Sequence, residues 1–88
     1  MSDKKIIEAL ESQGLQNPNS KDIENFKQYL NEIAEKEAYQ WAQMVNTVGA
    51  TEWRNGKPHI LTVEEIYNGN QGRMMKNVFL NRYEELYK

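Results

Sequence analysis

The sequence predicts an all-α protein, a small helical bundle built as one domain over residues 1–88, and three observations carry that prediction. Lys21 to Val48 contains neither glycine nor proline, which leaves room for one helix of ~42 Å at 1.5 Å per residue. Apolar residues recur at three- and four-residue spacing in the segments on either side of the centre, the period of an amphipathic helix. Residues that cap helices, and glycines that end them, stand where these periodic runs start and stop. The expected order is a short helix, a long helix, a hairpin-like loop and a kinked C-terminal helix antiparallel to the long one.

The first helix is expected over residues 3–13, capped by Ser2 or Asp3, with Ile6, Ile7 and Leu10 on one face and Gly14 at its end. Gln16 to Ser20 collects asparagine, proline and serine, a turn composition, and Asn19 or Ser20 can cap the long helix. At about 100° per residue, Ile23, Phe26, Leu30, Ala34, Trp41, Met44, Val45 and Val48 form one stripe, with Ile33 and Ala38 at its edges. Lys27 and Glu37 interrupt that stripe, and Gly49 ends the helix.

In residues 50–61, Asn55-Gly56 separates two short runs of strand-compatible residues, the signal for a two-residue hairpin turn. Pro58 suits only an unpaired strand edge, and Trp53, Ile60 and Leu61 are the expected anchors onto the helices. Thr62 with Glu65 makes a capping box for a helix carrying Val63, Ile66 and Tyr67. Residues 68–72 interrupt it. The last helix, from Arg73 to Tyr87, is expected to bury Met75, Val78, Phe79 and Leu86.

Composition narrows the function classes. The charge of −2 arises from thirteen acidic and eleven basic residues, eight of those acids lying in residues 1–37 against five bases. A bulk basic footprint for nucleic acid is therefore missing. There is no cysteine, hence no disulfide framework, thiolate nucleophile or sulfur ligand. No apolar run reaches the roughly 18 residues of a spanning helix, and the start lacks a leader pattern, so a cytoplasmic protein without membrane contact is expected.

Catalysis and cofactors are not expected. The sole histidine, His59, could pair only with carboxylates such as Glu52, Glu64 or Glu65, at spacings that match no metal motif. Ser2, Ser12 and Ser20 stand at helix ends and read as caps. Adjacent carboxylates on a helix, Glu64-Glu65 and Glu84-Glu85, point about 100° apart and cannot share a substrate.

Two binding surfaces remain. Leu80 and Tyr87 fall outside the main stripe of the last helix, Tyr83 lies between its two sides, and Tyr39 lies on the polar side of the long helix. Tyr39, Leu80, Tyr83 and Tyr87 are thus the expected protein-binding or self-association surface. The alternative is nucleic-acid or nucleotide binding by Gly69, Gly72, Arg73 and Lys76. Gly69-Asn70-Gln71-Gly72, followed by Arg73, resembles the GxxG loop of KH domains, which implies backbone open to a phosphate. That resemblance spans four residues and lacks the strands such domains place around the loop. Glu37 and Arg82, each within an apolar stripe, are expected to form a structural ion pair. The functional expectation is a non-enzymatic protein-binding module, a small regulator or inhibitor of a larger intracellular complex. In size and in its acidic N-terminal part the chain resembles small phage or mobile-element inhibitors, a likeness of class with no motif behind it.

Overall fold

The computed structural model describes all of residues 1–88 and contains four helices and one two-stranded antiparallel sheet: α1 Asp3–Ser12, α2 Ser20–Val48, β1 Thr51–Arg54, β2 Lys57–Ile60, α3 Val63–Asn68 and α4 Asn70–Glu85. The protein is mostly helical, but the hairpin is a formed β-ribbon, so the all-α expectation is corrected. The helices do not close into a bundle either. The principal extents are 59 × 19 × 17 Å and the radius of gyration is 17.6 Å, against about 12 Å for a compact chain of this length. The molecule is a rod two helices across.

Local signals set the element ends. Helix α1 stops in a Schellman motif: Gly14 takes a φ of 97°, its N–H donates to Glu11 O at 3.0 Å, and Leu15 N–H donates to Leu10 O at 3.1 Å. Asn19 caps α2 through a reciprocal box, accepting from Asp22 N–H at 2.9 Å while Asp22 accepts from Asn19 N–H at 3.0 Å. Thr62 and Glu65 form the equivalent box on α3. Asn55 and Gly56 both have positive φ, 53° and 75°, the two-residue turn whose twist suits a hairpin.

Helix α4 runs back along α2, and α1 folds over their far end, where Ser2 N–H donates to Tyr87 O at 2.7 Å and Lys27 pairs with Asp3 at 3.1 Å. Between these helices the buried side chains are Ile6, Ile23, Leu30, Ala34, Ala38, Ala42 and Ile66. The core of α2 is thus a row of small residues at four-residue spacing, centred on Ala38 and Ala42. Trp41 is only half-buried, and Met44 and Val48, expected inside, are 60% and 83% exposed.

The alanines explain the shift. Three short side chains let a facing helix come close, and large residues on that helix fill the space above them. Helix α4 accordingly turns Gly72, Lys76, Leu80, Tyr83 and Tyr87 toward the seam, and Val78, Arg82 and Leu86 outward. Of the residues expected to be buried on α4, Met75 and Phe79 are half-buried while Val78 and Leu86 are exposed, and Leu80, Tyr83 and Tyr87, expected at the surface, are half-buried as well.

The glycine interruption is shorter than the sequence suggests. Only Gly69 breaks the helix, with φ −79° and ψ 179°, and α4 starts at Asn70 rather than Arg73. Gly72 is buried inside the first turn of α4, where an added Cβ would lie 2.0 Å from the carbonyl oxygen of Tyr67.

Candidate functional site

The hairpin projects from the end of the rod and has two chemically opposed faces. Its register pairs Thr51 with Ile60, Glu52 with His59, Trp53 with Pro58, and Arg54 with Lys57. Because side chains alternate along a strand and opposite residues share a face, Thr51, Trp53, Pro58 and Ile60 line one side. Glu52, Arg54, Lys57 and His59 line the other. Trp53–Pro58 is a pair without ladder hydrogen bonds, so the nitrogen of Pro58 points away from β1 and the ring costs the hairpin nothing.

The charged side is the one turned to the helices. Glu65, in the first turn of α3, gathers it: Oε2 accepts from Arg54 Nη2 at 2.6 Å and Oε1 accepts from His59 Nε2 at 3.0 Å. An ionised carboxylate only accepts, so the His59 Nε2 carries the proton. The same Oε1 takes the Thr62 N–H at 3.1 Å, so one side chain caps α3 and latches the hairpin. Arg54 is held further by Glu52. At the base, Asn46 Nδ2 donates to Leu61 O at 2.9 Å. The hydrogen bond from His59 and then that from the Thr62 backbone, helped by Arg54, hold the Glu65 carboxyl down at about 2 against an opposing desolvation.

With its charges inward, the hairpin carries its apolar side outward. Trp53 is 75% and Ile60 69% exposed, and Pro58 between them is exposed as well. The expectation that Trp53 and Ile60 anchor the hairpin is therefore corrected: ionic contacts anchor it, and the aromatic side faces solvent. Only Leu61 is half-buried. Behind the hairpin a cleft of ≈ 370 Å³ opens between its base, α2 and the α3–α4 junction, bordered by Val45, Leu61 and Ile66 on its apolar side and by Arg54 and Glu65 on its polar side.

The expected protein-binding residues lie at intramolecular contacts. Tyr83 Oη donates to Glu37, Tyr87 meets Phe26 edge-on with ring centroids 5.0 Å apart, and Leu80 is half-buried. Tyr39, 37% exposed, meets Tyr67 edge-on at 5.4 Å. Leu80, Tyr83 and Tyr87 thus lie along the α2–α4 seam, whereas Tyr39 stays exposed and packs against α3.

The expected Glu37–Arg82 ion pair does not form. Glu37 faces Tyr83 across the seam, and the carboxylate beside Tyr83, with partial burial, raises the phenol above its ordinary value. Arg82, one position on, points outward with its guanidinium 5.7 Å from the centre of the Phe79 ring. Of the nucleic-acid candidates, Gly69 and Gly72 offer no open loop, since Gly72 is sealed by the Tyr67 carbonyl. Lys76 lies 4.9 Å over the Tyr67 ring, a cation–π contact within the fold. Arg73 alone is exposed.

What sequence reasoning missed is the sidedness of the hairpin. The Asn-Gly turn fixes the register, and the register places every charge on one side, so the alternation was there to be found. No helix is long and apolar enough to cross a membrane. No protein-family model matches the chain, and neither a curated protein nor a solved structure matches it.

Proposed function

We propose that this chain is a non-enzymatic protein-binding module, a small regulator or inhibitor of a larger intracellular complex, and that it meets its partner through the outward side of the hairpin. One observation carries the reading: Trp53, Pro58 and Ile60 form a projecting apolar face while the polar side of the same ribbon is bound down. A β-ribbon that packs for its own stability turns the opposite way, apolar side in. Tryptophan is the residue type most often dominant in binding surfaces, where truncation costs about 2 kcal/mol or more.

The competing reading, a nucleic-acid or nucleotide binder, called for open backbone at Gly69–Gly72. That segment is helical from Asn70 onward and closed at Gly72, which is why protein binding is preferred. Immobilised wild-type protein and Trp53→Ala protein, incubated with the same cell extract, test the proposal. A partner retained by the first should bind the second at least about 30-fold more weakly, with both proteins equally helical. Partners held equally by both, or recovery of nucleic acid that is lost as salt rises, would overturn it.

A further inference from the structure

The two margins of the hairpin differ. Ala50 O accepts from Leu61 N–H at 2.8 Å at its base, and the register pairs Thr51 with Ile60 and Trp53 with Pro58. The alternation of an antiparallel ladder leaves both of those pairs without cross-strand bonds. The N–H and C=O of Thr51 and Trp53 therefore point away from β2, and the backbone groups of Pro58 and Ile60 point away from β1. On the β2 margin the Pro58 ring replaces one of the two donors. On the β1 margin all four groups are present, none takes a partner within the chain, and every residue of the strand is exposed.

The cleft behind the hairpin adjoins this same margin. Of the two strands only β1 lines it, through Glu52 and Arg54, and its apolar part is made by Val45, Ala50, Leu61 and Ile66. We infer that an extended segment of the partner pairs with the β1 margin as a third strand, exchanging backbone hydrogen bonds with Thr51 and Trp53. The inference rests on the outward side of the hairpin being the partner-binding side and adds what the partner presents there. A strand so placed turns alternate side chains to opposite sides. Residues opposite Thr51 and Trp53 lie on the outward side, beside the indole. The residue opposite Glu52 turns inward, where the cleft of ≈ 370 Å³ receives an aliphatic side chain. Main-chain bonds along the margin supply affinity, and the alternate side chains supply specificity.

Other occupants fit less of this geometry. The open groups of Thr51 and Trp53 stand two residues apart, about 7 Å along the margin, which is the repeat of a strand. An α-helix has its backbone groups bonded internally along its length and leaves all four unmet. A second copy of this chain, pairing through its own β1, brings only Glu52 and Arg54 to the inner side. Those charges are already engaged with each other and with Glu65, so the apolar part of the cleft stays uncovered. The segment that satisfies both the margin and the cleft is one with apolar residues on both sides of the strand and no proline at the paired positions.

Linear peptides of about twelve residues and random sequence, displayed on phage and selected on the immobilised full chain, are the probe. In the tightest of them, made synthetically, N-methylation of backbone amides should weaken binding at least about tenfold at alternate positions and little between them. Thr51→Pro gives β1 the ring that Pro58 gives β2, at a position with no ladder bond to break. It should weaken the same peptide at least about tenfold, with the β1–β2 contacts kept in NMR spectra. The N-methyl scan reads the pairing without altering the protein. Selected sequences with apolar residues at helical spacing, N-methyl effects without alternation, or no selectable peptide overturn the inference. A peptide weakened by Trp53→Ala and unaffected by Thr51→Pro overturns strand pairing and leaves the outward side as the binding side. One unaffected by either substitution overturns both readings.

Discussion

Replacing Gly72 with alanine places a methyl group where there is no room. Its carbon would sit 2.0 Å from Tyr67 O, 2.5 Å from Tyr67 C and 2.6 Å from Ile66 O, against about 3.5 Å for comfortable contact. All three atoms are backbone, so no rotamer change relieves the clash and the last turn of α3 must move by more than about 1 Å. That movement draws Tyr67 from Tyr39 and Lys76. At an open helical site the same substitution stabilises by about 1 kcal/mol. Crowding of a packed site costs about 1–3 kcal/mol, sometimes more, and a clash with main chain belongs at the upper end. The net expectation is a loss of about 2 kcal/mol, or roughly 10 °C in Tm for a chain of this size. Thermal unfolding followed by circular dichroism reads it directly. Gly69→Ala is the comparison, because its nearest approach is 3.0 Å and its loss should be smaller. A Gly72→Ala protein as stable as the wild type, or more so, would refute the close α3–α4 approach and reopen the loop reading of Gly69–Gly72.

The Glu65 latch gives a pH signature. Its carboxyl is lowered to about 2 in the folded state from an ordinary 4.5, so its stabilisation is complete above about pH 4.5 and is lost as pH falls toward 2. Glu65→Gln keeps a side-chain acceptor for the α3 cap but loses the charge. Hydrogen exchange across residues 51–61 should therefore be faster in the variant at pH 7, and the difference from wild type should close as pH approaches 2. Tyr83 behaves in the opposite sense: its raised pKa means that the contact with Glu37 stabilises below about pH 10 and fades as pH rises through the folded value. Tyr83→Phe should melt below the wild type at neutral pH and converge with it in strong alkali. Ala38→Leu, at a position with no exposed surface, should lower stability by about 1–3 kcal/mol in denaturant titration. Trp53→Ala, at a position 75% exposed, should change stability by less than about 0.5 kcal/mol in the same experiment.

Much of the chain's local structure was legible because local chemistry determines it. Gly14, Asn19, Asn55-Gly56 and Thr62 with Glu65 each set a terminus or a turn through their own backbone bonds, and each does so as expected. Orientation was less legible. Hydropathy assigned Trp41, Met44 and Val48 to the core, yet Ala38 and Ala42 lie deeper, because helix contact rewards the smallest cross-section as much as the most apolar side chain. The same effect turned α4, bringing Tyr83 and Tyr87 inward and sending Val78 and Leu86 out. Gly72 read as loop because glycine is a poor helix former, whereas its role depends on a carbonyl from another element, which no window of sequence contains. For the candidate site, the residues of the hairpin and their alternation follow from the Asn-Gly register, and which side turns to the helices does not, since the Glu65 contacts that decide it join α3 to both strands.

Pro58 bears on how this protein avoids a hazard of its own making. A ribbon with two free margins can template further strands on both sides, and added chains can then repeat without limit. Here the outward margin of β2 carries a proline ring where an amide hydrogen would stand, so pairing on that side is blunted. Pairing is left to the β1 margin, and two ribbons joined there β1 to β1 would present only their proline-bearing β2 strands outward. The residue that seemed to argue against a strand instead acts as a chain terminator, letting an aromatic ribbon stay exposed without seeding a fibre.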